Sequence, residues 1–167
     1  ANAKPIYLQP TLDSTHHIPL GISPKTLEDA IKAHPNCKLM LMVHPTYHGI
    51  TWENEALAKL AKKNGLTIIV DEAHGAHFSF SPLTPKSALE YDCDIVIKSY
   101  HKTLPCLTQG SVLACQNQAL ETQIDKTLRL IATTSPSYPI MASLELASVY
   151  MAEHGQDLLQ EGYQTIS

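Results

Sequence analysis

Short apolar runs alternate with longer amphipathic segments along this chain. The short runs predict five strands: Ile6–Gln9, Lys38–His44, Leu66–Val70, Cys93–Lys98 and Gly110–Ala114. The run over Lys38–His44 is almost continuously apolar, which is typical of a strand buried on both faces of a parallel sheet. Strands that alternate with helices indicate an α/β domain.

The amphipathic segments predict the helices between and after these strands. One helix follows Ser23 and Pro24, a capping residue and a favoured first helical residue. The other helices are predicted over Trp52–Asn64, Gln116–Thr133 and Ile140–His154, the last ending at Gly155. Residues 71–85 hold several prolines and serines, so they predict an irregular connection with at most a short helix near Pro85–Tyr91.

Composition places the chain among ordinary globular domains. Its 167 residues are 44% hydrophobic and 17% charged, with a formal net charge of −4 at pH 7, and a chain of this length can form one domain with its own core. Nucleic-acid binding relies on clustered Lys and Arg, and the densest cluster here is Lys59, Lys62 and Lys63. We therefore expect no nucleic-acid partner.

Two further patterns narrow the class of protein. No apolar run approaches the roughly 20 residues that span a bilayer, and the amino terminus lacks the pattern of a secretory signal, so we expect a cytoplasmic protein without a membrane segment. The four cysteines are widely spaced with no CxxC pair, which indicates neither a zinc site nor a disulfide framework. We expect them to be buried as small apolar residues.

The stretch IIVDEAH, residues 68–74, resembles the magnesium-binding strand of a DEAH-type helicase. A nucleotide site of that kind also needs a loop of the form GxxxxGK[ST], and the seven glycines form no such loop. The next buried strand leads into SYHK, residues 99–102, where a helicase has no obvious use for a lysine. These observations disfavour a helicase, although its phosphate-binding loop could lie upstream.

A metal site is the second alternative, because Asp71, His74 and His77 form the pattern DxxHxxH. On a helix the two histidines would share one face and could bind a metal. However, Gly75 interrupts the segment, which follows directly on a strand and lacks the HExxH arrangement. We therefore expect no metal site, and the alternative for His77 is a hydrogen bond within a turn.

Asp71 and Lys102 lie just beyond neighbouring predicted strands, at the carboxyl ends where open α/β sheets bind ligands. Pyridoxal phosphate needs a lysine amine to hold it as a Schiff base and a carboxylate to keep its pyridine nitrogen protonated. Neither residue is specific alone, since a strand-end Asp is often a turn residue and a Lys is often a solvated charge. Four neighbouring side chains could contact the ring or the phosphate: Ala73, His74, Ser99 and His101.

Three segments in this order resemble the central part of the Orn/Lys/Arg decarboxylases: DEAHGAHFSF, SYHKTLPCLTQGSVL and TTSPSYPIMASLELA. The earlier segment HPTYHGITWENEALAKLAKKNG is similar to the part of that family that precedes the aspartate strand. The likeness extends from about Pro5 to about Tyr150. It implies a three-layer α/β/α fold with a mainly parallel sheet, part of the large domain of the fold-type-I pyridoxal phosphate enzymes, which are related in architecture to aspartate aminotransferase.

The resemblance also implies residue roles. Lys102 would carry the cofactor, Asp71 would pair with the pyridinium nitrogen, and His74 would contact the ring and act in catalysis. The other implied contacts are Ala73 at the ring, Ser99 and His101 at the phosphate, and Thr134 and Ser135 toward the cofactor of a partner subunit. We therefore expect a homodimer or larger homo-oligomer with shared active sites. The local alternative for Thr134 and Ser135 is a helix cap ahead of Pro136.

The implied reaction is decarboxylation of lysine, ornithine or arginine to the corresponding amine. Residues 1–167 would form part of the large domain, without the family's amino-terminal phosphate-binding segment and carboxyl-terminal small domain, and we expect this part alone to be inactive. An aminotransferase or aldolase reaction stays open, although Arg129 is the only arginine available for a substrate carboxylate, and so does a structural or dimerisation role. Glu72 has no assigned role, and we expect it at a surface or a helix end.

Overall fold

Strands and helices alternate along the chain in the computed structural model, which describes residues 3–52 and 54–166. The strands are β1 (Thr11–Leu12), β2 (Pro19–Gly21), β3 (Leu39–Val43), β4 (Thr67–Asp71), β5 (Ile95–Lys98) and β6 (Val112–Cys115). The α-helices are α1 (Pro24–Ala33), α2 (Asn54–Lys63), α3 (Tyr100–Thr103), α4 (Gln118–Ile131) and α5 (Tyr138–Ile166). Two 3₁₀ helices, Ala76–Phe80 and Ala88–Glu90, lie between β4 and β5. The helix predicted from Trp52 is observed from Asn54; Trp52 itself is not helical, and residue 53 lies outside the described residues.

The central sheet has the strand order β3-β4-β5-β6. The first three strands are parallel, and β6 is antiparallel to β5. Asp71 at the end of β4 is in register with Val43 on one side and with Ile97 on the other. The predicted α/β class with a mainly parallel sheet is therefore confirmed, and the carboxyl ends of three strands meet at one edge.

The main core lies between one face of this sheet and the helices α1 and α2. It is formed by buried apolar side chains, among them Leu27, Met40, Met42, Leu57, Ala61, Ile68, Val70 and Val96. A smaller cluster joins α5 to the first 3₁₀ helix through Ala76, Ala147 and Met151. On the opposite face of β3, the side chains of Leu39, Leu41 and Val43 are half or more exposed.

The predicted strand Ile6–Gln9 is wrong. The segment is assigned to no strand, and the first pairing is a short antiparallel one between β1 and β2. Pro5 and Pro10 flank the segment and remove two of the amide donors that a strand ladder would use. Leu8 nevertheless packs against the main core, which accounts for the apolar pattern.

The sequence predicts that the last helix ends at Gly155, but α5 has 29 residues and ends at Ile166. Gly155 is buried inside it, and a Cβ atom at this position would lie 2.9 Å from the Cβ of Phe80. The glycine therefore permits close packing of α5 on the first 3₁₀ helix instead of capping the helix. Among the described residues, no helix is long and apolar enough to cross a membrane.

The cysteines differ from the prediction that all are buried. Cys93, two residues before β5, is buried in the main core, and burial raises the pKa of its thiol to about 12. Cys37 is exposed, and Cys106 and Cys115 are half-buried. The difference arises because the last three lie in or beside connecting segments or on an edge strand, where a small side chain is not forced into the core.

Asp94, just before β5, joins three elements and is only 2% exposed. Its carboxylate accepts hydrogen bonds from the main-chain amide of Ile68 at 2.7 Å, from Lys62 at 2.8 Å and from Asn117 at 2.6 Å. Burial alone would raise the pKa of Asp94, but these hydrogen bonds outweigh it and hold the pKa below its ordinary value. The carboxylate therefore stabilises the fold most when it is ionised.

Asp94→Ala is expected to destabilise this region by about 3 kcal/mol, because it leaves buried donors without an acceptor. Hydrogen exchange of the Ile68 amide in the complete protein is the measurement. The wild-type protection should be full above pH 3.8, the ordinary pKa of the side chain, and should fall as the pH drops through the lowered value.

The control for Asp94 is Asp125→Ala, which removes the partner of an exposed ion pair with Arg129 on α4. Exposed pairs contribute little, so exchange at Ile68 should not change in this variant. Unchanged exchange at Ile68 in the Asp94 variant would contradict the assigned role of Asp94.

Candidate active site

Asp71 and Lys102 lie at the same edge of the central sheet. Asp71 is the last residue of β4, and Lys102 lies in α3, which begins two residues after β5 ends. Because β4 and β5 are adjacent and parallel, their carboxyl ends present both side chains to one region. The two residue types singled out from the sequence therefore occupy one site.

The Asp71 carboxylate is oriented by its own turn. One oxygen, Oδ1, accepts a hydrogen bond from the main-chain amide of Ala73 at 3.0 Å. The Asp71 carbonyl accepts from the amide of His44 at 2.9 Å, which holds the strand end to the residue after β3. The first bond orients the half-buried carboxylate through Oδ1, and the second holds the main chain of the strand end.

Lys102 is exposed, and its Nζ lies 3.3 Å from Nε2 of His74. The Lys102 amine can therefore donate a hydrogen bond to the imidazole, which holds it at the carboxyl end of the sheet. His74 packs edge-on against Tyr47, with ring centroids 5.5 Å apart. Sequence reasoning missed Tyr47, although its place in the turn after β3 is the same kind of strand-end position that identified Asp71 and Lys102.

Ala73, Ser99 and His101 also lie at this edge. Ala73 is buried directly after the Asp71 turn, and Ser99 occupies the cap position of α3 without using its hydroxyl for a capping bond. His101 Nδ1 donates to the carbonyl of Gly110 at 2.7 Å. Since that nitrogen carries the proton of the neutral ring, Nε2 of His101 can donate to an anion only when the ring is protonated.

Thr134 and Ser135 lie elsewhere, in the exposed connection between α4 and α5. Within the described residues, the structure shows no contact of Thr134 or Ser135 with Asp71 or Lys102. The alternative prediction of a helix cap ahead of Pro136 is wrong, because α5 begins only at Tyr138.

The sequence predicts Glu72 at a surface or a helix end, but the side chain is completely buried. Its carboxylate pairs with Lys98 at 3.2 Å and accepts hydrogen bonds from the Ser87 hydroxyl at 2.9 Å and the Ala88 amide at 3.0 Å. The prediction failed because an isolated acid is costly to bury, whereas this acid is compensated by partners distant in sequence. Sequence reasoning also missed Lys98, whose only signal is a charge that ends an apolar run.

His77 lies in the first 3₁₀ helix, and its buried Nδ1 has no hydrogen-bond partner within the described residues. A turn hydrogen bond, the alternative considered for His77, is thus not formed through Nδ1. Burial lowers the pKa of His77, and the positive charge of Lys98 lowers it further. Within residues 3–52 and 54–166, no group of three or more His, Cys, Asp or Glu side chains could hold a metal ion.

An apolar groove of about 400 Å³ lies away from this edge, between the segment before β1, helix α1 and strand β3. Its lining includes Tyr7, Leu27, Ile31, Leu39 and Leu41. It contains neither Asp71 nor Lys102. We therefore place the chemistry at the strand ends, where the polar groups converge, and not in this groove.

The sequence profile of the Orn/Lys/Arg decarboxylase major domain matches residues 1–167. The chain belongs to the Orn/Lys/Arg decarboxylase family. One relative, the Bacillus subtilis protein YaaO, is 39% identical over 153 residues, which are 90% of this chain and 32% of YaaO. The arginine decarboxylase of Bacillus subtilis is 33% identical over 162 residues, which are 96% of this chain and 33% of that protein.

Solved structures share the fold of this chain. The lysine decarboxylase LdcF of Francisella novicida superposes with a TM-score of 0.77 and 27% identity, over 94% of this chain and 24% of that one. The serine palmitoyltransferase of Sphingomonas wittichii, at 21% identity and a TM-score of 0.65, shares the fold over 80% of this chain and 34% of its own. The chain spans about a third of the length of the curated relatives it matches.

The cofactor of the Orn/Lys/Arg decarboxylase family is pyridoxal phosphate, and the donor set at the sheet edge fits it. An exposed amine on Lys102 suits the aldehyde, and an oriented carboxylate on Asp71 suits a protonated ring nitrogen. The Ser99 hydroxyl, which is not used in capping, and the ring of His101 can meet a phosphate. The described chain thus carries groups that suit the aldehyde, the ring nitrogen and the phosphate of the cofactor.

Proposed function

We propose that the protein is a pyridoxal phosphate-dependent decarboxylase of a basic amino acid, with Lys102 holding the cofactor covalently and Asp71 pairing with its ring nitrogen. The observation that carries this proposal is the position of both side chains at the carboxyl ends of adjacent parallel strands, with Lys102 Nζ 3.3 Å from His74. Family membership over residues 1–167 supports the reaction class.

The cofactor, when bound, supplies the electron sink that accepts the pair left by departing carbon dioxide. The chain's own residues make this possible in separate ways. Asp71 holds a proton on the ring nitrogen, because an ionised carboxylate beside it favours the charged pyridinium. His74 accepts a hydrogen bond from the Lys102 side chain, and the small Ala73 leaves room beneath a flat ring.

Phosphate anchoring is proposed for Ser99 and His101. Ser99 donates its hydroxyl, and His101 donates Nε2 once its ring is protonated, a state that a phosphate dianion would stabilise. The bond from Nδ1 to the carbonyl of Gly110 fixes the direction in which Nε2 points. The residues 1–167 form, in this proposal, part of the large cofactor-binding domain.

Thr134 and Ser135 are proposed to contact the cofactor of a partner subunit in a homodimer or larger assembly. Their exposure in the connection between α4 and α5 leaves them accessible to a second copy. Exposed apolar side chains on the same two helices, Leu130, Ile131, Tyr138 and Met141, offer area for such a contact.

Arginine is the first substrate to test, because four relatives at 32–33% identity are named arginine decarboxylases. Release of labelled carbon dioxide from carboxyl-labelled arginine, lysine and ornithine by the full-length protein measures the reaction. Borohydride reduction of the cofactor-loaded protein, followed by peptide mapping, should label Lys102. Absence of carbon dioxide release from all three amino acids, or labelling of a different lysine, would refute the proposal.

A further inference from the structure

A layer of three buried polar side chains lies below the candidate site, one at the carboxyl end of each parallel strand. They are His44, Glu72 and Lys98, which are 0%, 0% and 4% exposed. Each lies two residues after a core side chain of its strand, so it shares the sheet face that α1 and α2 cover. Asp71 alternates with Glu72 along the strand and points to the opposite face.

All three side chains contact one short segment, residues 86–91. His44 Nε2 donates to a main-chain carbonyl of this segment at 2.9 Å. Glu72 accepts from a main-chain amide of the segment at 3.0 Å and from the Ser87 hydroxyl at 2.9 Å. Lys98 Nζ donates to the same Ser87 hydroxyl oxygen at 2.9 Å. Ser87 therefore joins the ends of β4 and β5.

Glu72 and Lys98 form an ion pair in which every polar atom is used. Lys98 Nζ has three partners, which are Glu72 at 3.2 Å, Ser87 at 2.9 Å and Ser79 at 2.9 Å. Both Glu72 oxygens accept hydrogen bonds. Burying two charges carries a large desolvation cost, and an apolar pair of similar volume is often at least as stable. Stability alone therefore does not account for this pair.

We propose that Glu72, Lys98 and Ser87 are positioning residues that fix the Asp71 carboxylate relative to Lys102, an inference that rests on the proposed function. Glu72 directly follows Asp71, and its main-chain amide donates to β5 at 2.8 Å. Lys98 precedes Lys102 by four residues, at the point where β5 ends. The ion pair thus ties together the two strand ends that carry the cofactor-binding groups.

The double variant Glu72→Leu/Lys98→Met in the full-length protein is the main test, because it removes both charges and leaves neither unpaired. We expect it to fold and to keep its KM, while kcat falls about 10- to 100-fold, since small displacements of catalytic groups have effects of this size. The pH midpoint of the visible absorbance of bound pyridoxal phosphate should also shift. A folded double variant with the wild-type kcat and midpoint would overturn the inference.

Ser87→Ala provides a second test that keeps both charges and removes only the shared hydroxyl. We expect the same shift of the absorbance midpoint with a smaller loss of kcat. Ser81→Ala is the matched control, because Ser81 is also buried but its hydroxyl accepts from the amide of Leu83. If the double variant does not fold, a wild-type midpoint and kcat in Ser87→Ala would overturn the inference.

The two proposals fail in different ways. A wild-type protein that binds no pyridoxal phosphate would refute the proposed function. A wild-type protein that binds and decarboxylates, with variants at Glu72, Lys98 and Ser87 that match it, would refute only the positioning role.

Discussion

Lys102→Ala in the full-length protein is expected to abolish covalent retention of pyridoxal phosphate and to lower decarboxylation by at least about 10⁴-fold, the scale on which other enzymes lose activity with a covalent catalytic residue. The Lys102 amine is exposed and lies 3.3 Å from His74. Lys98 cannot replace it, because its buried Nζ already makes three contacts. Visible absorbance after dialysis and release of labelled carbon dioxide measure the two effects.

Two variants control this experiment. Lys102→Arg keeps a positive charge, but a guanidinium stays protonated and cannot attack the aldehyde, so it should be as inactive as Lys102→Ala. Lys126→Ala removes an exposed lysine on α4 and should keep full activity. A Lys102→Ala protein that still retained the cofactor covalently would show that another residue carries it.

Asp71→Ala is expected to lower kcat by about 10²- to 10³-fold, the range seen when one group that stabilises transition-state charge is removed. Without the carboxylate, the ring nitrogen loses the negative partner that keeps it protonated, and a neutral ring accepts electrons poorly. This loss concerns the chemical step more than substrate binding, so KM should change much less than kcat. Steady-state kinetics with the preferred amino acid provides the measurement.

Asp71→Asn separates charge from shape. The amide oxygen can still accept the hydrogen bond from the Ala73 amide, so the turn should survive, while the negative charge is gone. We expect a loss similar to that of Asp71→Ala. Near-normal kcat in Asp71→Asn would mean that Asp71 acts through the turn and not through the ring nitrogen.

The parts of the candidate site that lie at the ends of strands were predictable from the sequence. Asp71 and Lys102 each follow a continuous apolar run, and parallel strands place their carboxyl ends at one edge whatever the details of packing. Local chemistry also predicted the start of α1, where Ser23 accepts the amide of Thr26 at 3.1 Å. These features depend on residues close in sequence.

Features that depend on distant partners were not predictable. Glu72 is separated from Ser87 by 15 residues and pairs across strands with Lys98. The free-energy cost of burying its charge is therefore offset only once the fold brings these partners together. The segment Ile6–Gln9 has the composition of a strand but no strand to pair with in the described chain. Propensity indicates what a segment can form, and tertiary contacts decide whether it does.

The continuity of α5 through Gly155 bears on how shortened versions of this protein should be designed. A boundary placed at the apparent helix stop would remove Leu159, which packs against the small cluster around Ala147 and Met151. It would also leave the 3₁₀ segment around Phe80 without part of its cover. A shortened version of the protein should therefore keep α5 intact through Ile166.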